Sequence, residues 1–116
     1  MTESSKLFMV DELWSRPGEG PKLLEAYRRL YAEPAIAKGM TLTHSLVDPA
    51  FWLDDGENRL VFMWSLADGG AAWGQKIPNR KDPSIHAAWA ELDRMAVRRT
   101  RALLGNADAV EEMSDV

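Results

Sequence analysis

The chain has no cysteine, and its 116 residues include only two histidines. Without cysteine there is no disulfide, no thiolate metal site and no thiol nucleophile. The composition fits a reducing compartment, so the cytoplasm is the expected location. His44 and His86 lie in unrelated segments with no acidic residue at ligand spacing, a poor basis for a metal site. Neither a metal nor another cofactor is expected. No glycine-rich phosphate loop and no serine nucleophile elbow is present. No apolar run approaches the roughly 18 residues of a membrane span. The opening MTESSKLFMVDELW lacks the basic and apolar regions of a secretory signal. Positive charge is also short, with 14 Lys and Arg against 18 Asp and Glu, a net charge of −4. That balance argues against nucleic acid as a partner, which normally needs a basic footprint.

What is present is an ordinary globular composition, 46% hydrophobic and 28% charged. We expect a single domain over residues 6–105. It follows a disordered stretch, 1–5, and precedes an acidic tail, 106–116, with a weak last strand near 110–113. The basic residues crowd the second half, with Arg94, Arg98, Arg99 and Arg101 close together. They form either a solvated helix face or a patch that attracts an anionic ligand.

Hydrophobic periodicity sets the elements. Lys6–Trp14 alternates as a first strand, with Phe8, Val10, Glu12 and Trp14 on one face and Leu7, Met9, Asp11 and Leu13 on the other. Both faces are largely apolar, so both need cover. After the SRPGEGP loop, Leu23, Leu24, Tyr27, Leu30 and Tyr31 recur at helical spacing. Pro34 is expected to kink or restart that helix, and Lys38-Gly39 to stop it. A second strand over Met40–Val47 places Leu42, His44 and Leu46 on one face. It is expected to resume over Ala50–Leu53 past the Asp48-Pro49 break. The DDGEN turn leads antiparallel into a third strand, Arg59–Leu66. After a broken stretch carrying Trp73, Asp82-Pro83 starts a long helix with Ile85, Ala88, Trp89, Leu92, Ala96 and Leu103 on one stripe. That stripe predicts a helix running to about Leu104.

The order is βαββαβ, the split unit of a ferredoxin-like α+β fold, with both helices on one face of an antiparallel sheet. The other face then needs a partner. A second copy about a two-fold axis supplies it most simply, so a homodimer is expected.

Three passages carry a family resemblance: a first strand leading into RPGEG and a helix, the PAIAKGM passage, and DDGENRLVFMWSLADGGAAW running on through KDPSIHAAWAEL. Over most of residues 6–105 the chain resembles the dimeric α+β barrel superfamily, and within it looks most like the NIPSNAP-type and related Dabb/EthD-like families. The resemblance implies the fold, the dimer and a cavity between sheet and helices. The superfamily includes cofactor-free monooxygenases, polyketide cyclases, haem-degrading enzymes, lactone isomerases and members with no known reaction. The first strand has no Asn to complete the Asn, Trp and His set of haem-degrading relatives, which argues against that chemistry.

The candidate catalytic residues are Glu12 and His44. A buried carboxylate can rise towards neutral pH, and an imidazole titrates near it. On a shared face the two would form a proton-moving pair. The plain alternatives are a core histidine bonded to a backbone carbonyl and a carboxylate paired with a surface arginine. Candidate substrate-binding residues are Trp14, Tyr31, Trp64, Trp73, His86 and Trp89, with Trp73 as a lid and His86 in the first turn of the last helix. Core packing is the plain alternative for Tyr31, Trp64 and Trp89, plugging the end of the core for Trp73, and simple exposure for His86. Tyr27 could add a hydroxyl to the same cavity. The functional expectation is a cofactor-independent enzyme acting on a small apolar or aromatic metabolite. Its alternatives are a non-catalytic ligand-binding or accessory protein of the same fold, and a partner-binding module using the basic face.

Overall fold

The structure is a computed structural model, and it describes residues 7–66 and 83–108. Expectations placed on 1–5, on Trp73 and its connection, on Asp82 as a cap, and on a strand near 110–113 lie outside the described residues.

Four strands, β1 (Leu7–Ser15), β2 (Thr41–Asp48), β3 (Arg59–Leu66) and β4 (Ala96–Gly105), form one antiparallel sheet in the order β2-β3-β1-β4. Helices α1 (Gly20–Tyr27) and α2 (Glu33–Ala37) join β1 to β2, and α3 (Pro83–Met95) precedes β4. This is the ferredoxin-like α+β arrangement that the element order predicts. Alternation in β1 and β3 sorts their side chains cleanly. Leu7, Met9, Leu13, Leu60, Phe62, Trp64 and Leu66 are buried in one core with Leu23, Ala26, Tyr27, Tyr31, Ala32 and Ala35 of the first helical segment and Leu92 of α3. The opposite face, with Phe8, Val10, Val61 and Met63, is only half-buried.

The first helical segment accommodates Pro34 without breaking. Between α1 and α2 lies one π turn, Arg28–Ala32, in which the Glu33 N–H donates to the Arg28 carbonyl. A proline ring clashes with the carbonyl four residues before it, and the wider turn relieves that contact. The segment stops as expected. Gly39 has φ 98°, and the Gly39 and Met40 N–H groups donate back to Ile36 and Ala35 at 3.0 Å each.

Three expectations fail. The last helix does not run to Leu104. It ends at Met95, and residues 96–105 form β4, hydrogen-bonded along the whole of β1. The apparent helical stripe through Ala96 and Leu103 arises because both residues share a strand face with Arg99 and Arg101. Tertiary pairing overrides a periodicity that is ambiguous over so few apolar positions.

The second failure is within β2. The register shifts between Leu42, opposite Trp64, and His44, opposite Met63. One extra residue at this bulge reverses the parity of the strand. Leu42 therefore shares the helix-covered face with Trp64, while His44 and Leu46 share the open face with Met63 and Val61.

The third is the resumed strand over 50–53. Residues 49–58 form a loop, because Asn58 takes over its backbone groups. The buried Asn58 amide accepts from Leu53 N–H (3.0 Å) and donates to Phe51 O (2.9 Å). Its backbone exchanges bonds with Ser15, Asn58 N–H to Ser15 Oγ at 3.0 Å and Ser15 N–H to Asn58 O at 2.8 Å.

Candidate functional site

Polar chemistry in the buried layer starts at Asp11. It is in line with Leu7, Met9 and Leu13 on the helix-covered face of the central strand, and it is 0% exposed. A carboxylate there needs donors, since an uncompensated buried charge costs several kcal/mol. Three arrive. Arg101, opposite Asp11 on β4, donates from Nε to Oδ1 at 2.6 Å and from Nη2 to Oδ2 at 2.9 Å, a two-pronged pair. The Tyr27 hydroxyl, from the last turn of α1, donates to Oδ2 at 2.7 Å. That hydroxyl in turn accepts from Trp64 Nε1 at 2.8 Å. The chain Trp64–Tyr27–Asp11–Arg101 thus runs from β3 through the helix to the first and last strands.

Aromatic rings enclose the chain. Tyr27 stacks on Phe62 at 3.6 Å between centroids, and Tyr31 meets Trp64 edge-on at 5.7 Å and Trp89 at 4.9 Å. Tyr27 and Tyr31 point the same way because they are separated by about one helical turn. The Arg101 guanidinium lies 5.1 Å from the Tyr31 ring centre and 4.9 Å from that of Trp89, and Arg99 lies 4.3 Å from Trp89. Arg99 is itself held by Asp93, at 2.7 and 3.1 Å. The Arg101 side chain keeps 34% of its surface exposed. One edge of the cluster therefore reaches solvent, while Tyr27 and Trp64 are sealed.

Protonation states follow. Burial pushes the Tyr27 hydroxyl well above the usual phenol range, and the adjacent Asp11 charge pushes it further. Burial also raises Tyr31, against the opposing pull of Arg101. Burial opposes charge on Arg101, but its bonds to Asp11 outweigh that and hold the guanidinium cationic. Hydrogen bonds from Arg99 lower the Asp93 carboxyl. The layer thus holds neutral phenols and two guanidinium–carboxylate pairs.

The predicted catalytic pair does not assemble there. Glu12 is on the opposite face of β1, bonded to Arg59, which also donates from Nε to Asp48 at 3.0 Å. The hydrogen bonds that Arg59 donates to Glu12 and Asp48 raise its pKa. His44, expected on a buried face, is exposed on the open one, and its ring contacts Thr43 Oγ1 at 3.1 Å. β3 separates the strands that carry the two residues, and Glu12 is level with Val61 while His44 is level with Met63. Of the predicted binding residues, Tyr31, Trp64 and Trp89 come together in the layer. Trp14 is on the open face, with Arg98 4.1 Å over its ring, and His86 is exposed on α3.

Asp11 and Arg101 were absent from the predicted site. Asp11 carried the same signal as Glu12, a carboxylate in line with apolar neighbours. Arg101 carried none, being one arginine among four and placed on a helix. Among the described residues no cluster of three or more His, Asp or Glu is arranged to hold a metal ion. No helix among them is long and apolar enough to cross a membrane.

No protein-family model and no curated protein matches the chain. Solved structures do. A NIPSNAP domain protein from Burkholderia xenovorans superposes with a TM-score of 0.66 at 18% identity, covering 87% of this chain and 94% of its own. A NIPSNAP-like domain protein from the same organism gives 0.63 at 11% identity, covering 89% and 87%. A NIPSNAP family protein from Agrobacterium tumefaciens gives 0.58 at 18% identity, covering 93% of both chains. At such identities the likeness establishes a shared fold, the ferredoxin-like α+β fold of NIPSNAP-domain structures.

Proposed function

We propose that this chain binds a small, largely apolar or aromatic molecule between its sheet and helices, acting in the cytoplasm as one half of a homodimer. The observation that carries the ligand reading is the half-exposed Arg101 guanidinium, fixed by buried Asp11 and flanked by Tyr31 and Trp89. Aromatic faces with a few fixed donors are what a planar ligand with a polar or anionic group requires. Binding suits this chemistry better than proton transfer. Among the described residues of the layer, the carboxylates of Asp11 and Asp93 are already engaged by arginines, and burial raises the two phenols. The enzyme reading, a cofactor-independent cyclase, isomerase or monooxygenase, then rests on Arg101 stabilising developing negative charge rather than on Glu12 and His44.

Thermal denaturation and tryptophan fluorescence, read across a series of aromatic carboxylates and their neutral analogues, test this. A bound acid at about 100 times its Kd stabilises the fold by about 2.7 kcal/mol. Trp89→Ala, which removes a half-buried wall residue, is expected to lose most of that shift. The reading fails if no compound moves the wild-type melting temperature, or if Trp89→Ala responds as the wild type does.

The dimer reading rests on the open sheet face. Phe8, Val10, Val61 and Met63 are half-buried there, and Leu46 and Leu104 are each 47% exposed. A contiguous apolar face of this kind is unusual on a lone subunit. Sedimentation equilibrium is expected to give twice the chain mass for the wild type and the single-chain mass for Met63→Glu. A monomeric wild type would refute it.

A further inference from the structure

The loop at 49–58 carries features that the ligand layer does not use. Several of its backbone groups and the Asn58 amide fasten it in place. Asn58 ties Leu53 and Phe51, the Phe51 N–H donates to Pro49 O at 2.7 Å, and the Gly18 N–H of the β1–α1 loop donates to Gly56 O at 3.1 Å. The two loops are in close contact. Gly18 has φ 74°, and a Cβ there would stand 2.5 Å from the Asp54 carbonyl oxygen. A Cβ at Gly20 would stand 2.6 Å from the Trp52 ring, so that ring rests directly on the backbone at the start of α1. Phe51 is nevertheless 64% exposed and Trp52 39%. Two large aromatics are thus held at the surface by a loop that is fixed in place.

Charge within the loop segment itself is of one sign. Residues 39–58 contain no Lys or Arg, yet they include Asp48, Asp54, Asp55 and Glu57. Asp48 is taken by Arg59, while Asp54, Asp55 and Glu57 are exposed within a few residues of the rings.

We propose that this loop is a docking surface for a basic, apolar peptide segment of a partner protein. Phe51 and Trp52 take its apolar side chains and the faces of its cations, and Asp54, Asp55 and Glu57 pair with its Lys and Arg. Charge complementarity selects this occupant. Exposed carboxylates beside aromatic rings repel a phosphate-bearing membrane or nucleic acid, and both features attract Lys and Arg. Because the loop is already ordered, little conformational freedom is lost on binding.

The test uses the full chain and a fluorescein-labelled decapeptide of alternating lysine and leucine, followed by fluorescence anisotropy. Wild type is expected to bind it, more weakly between about 50 and about 300 mM salt as screening grows. Phe51→Ser is expected to weaken binding by about tenfold or more, as loss of a central aromatic contact does, with an unchanged melting temperature. The triple variant Asp54→Asn, Asp55→Asn, Glu57→Gln is expected to lose most of the salt dependence. Equal binding by wild type and Phe51→Ser overturns the proposal, as does equal binding of a glutamate-for-lysine peptide. Phe51-dependent binding to phosphatidylserine vesicles without binding to the peptide also overturns it, and points to a membrane instead.

Discussion

Asp11→Ala is expected to lower the unfolding free energy by about 3 kcal/mol, at the lower end of the range for removing one partner of a buried ion pair. Asp11 is fully buried and accepts three hydrogen bonds. Its removal leaves a guanidinium against two aromatic rings and a sealed tyrosine hydroxyl with no acceptor. The lower end applies because the Arg101 side chain is 34% exposed and water reaches part of it. Urea denaturation reads the loss. The double variant Asp11→Ala, Arg101→Met is expected to recover much of it, since replacing both partners removes the stranded charge. A double variant no more stable than Asp11→Ala alone would show that the stranded cation is not the cause.

Trp64→Ala is expected to cost about 4 kcal/mol, the range for deleting a large aromatic from a packed core. Trp64 is fully buried, meets Tyr31 edge-on and supplies the donor to the Tyr27 hydroxyl. Trp64→Phe retains much of the volume but removes that donor. Its cost should be nearer about 1 to 2 kcal/mol, the usual effect of leaving a buried group short of one bond. Both are measured by urea denaturation, with near-ultraviolet circular dichroism reporting the ring packing. Equal losses for the two variants would mean that the hydrogen bond, not the packed volume, dominates.

Where apolar alternation is clean, the sequence shows the structure directly. β1 and β3 each present one face of buried residues, and Tyr27 and Tyr31 fall on the stripe that meets the sheet. The βαββαβ order also contains the reason that Glu12 and His44 stay apart. A split unit puts β3 between β1 and β2, so residues on those two strands are never neighbours across the sheet.

β4 was hidden because its alternating positions carry arginines on both faces, and an arginine becomes a core-lining residue only when a partner such as Asp11 meets it. The bulge at Thr43 was hidden because a one-residue insertion leaves no trace in a short strand of mixed polarity. Choosing Glu12 over Asp11 turned on which face the helices cover, and alternation alone cannot settle that.

The link between Asp11 and Arg101 also spans ninety positions of the chain. β1 occupies the middle of the sheet, flanked by β3 and β4. During synthesis its carboxylate emerges early and its neutralising arginine late. Until β4 arrives, one edge of the central strand has no neighbour in this sheet and Asp11 lacks Arg101, so hydration competes with burial. Contacts of such long sequence separation form slowly. The assembled sheet is therefore a late event in the life of the nascent chain. A chain halted before residue 96 would display an open central strand with an uncompensated charge, in place of a smaller version of the finished fold.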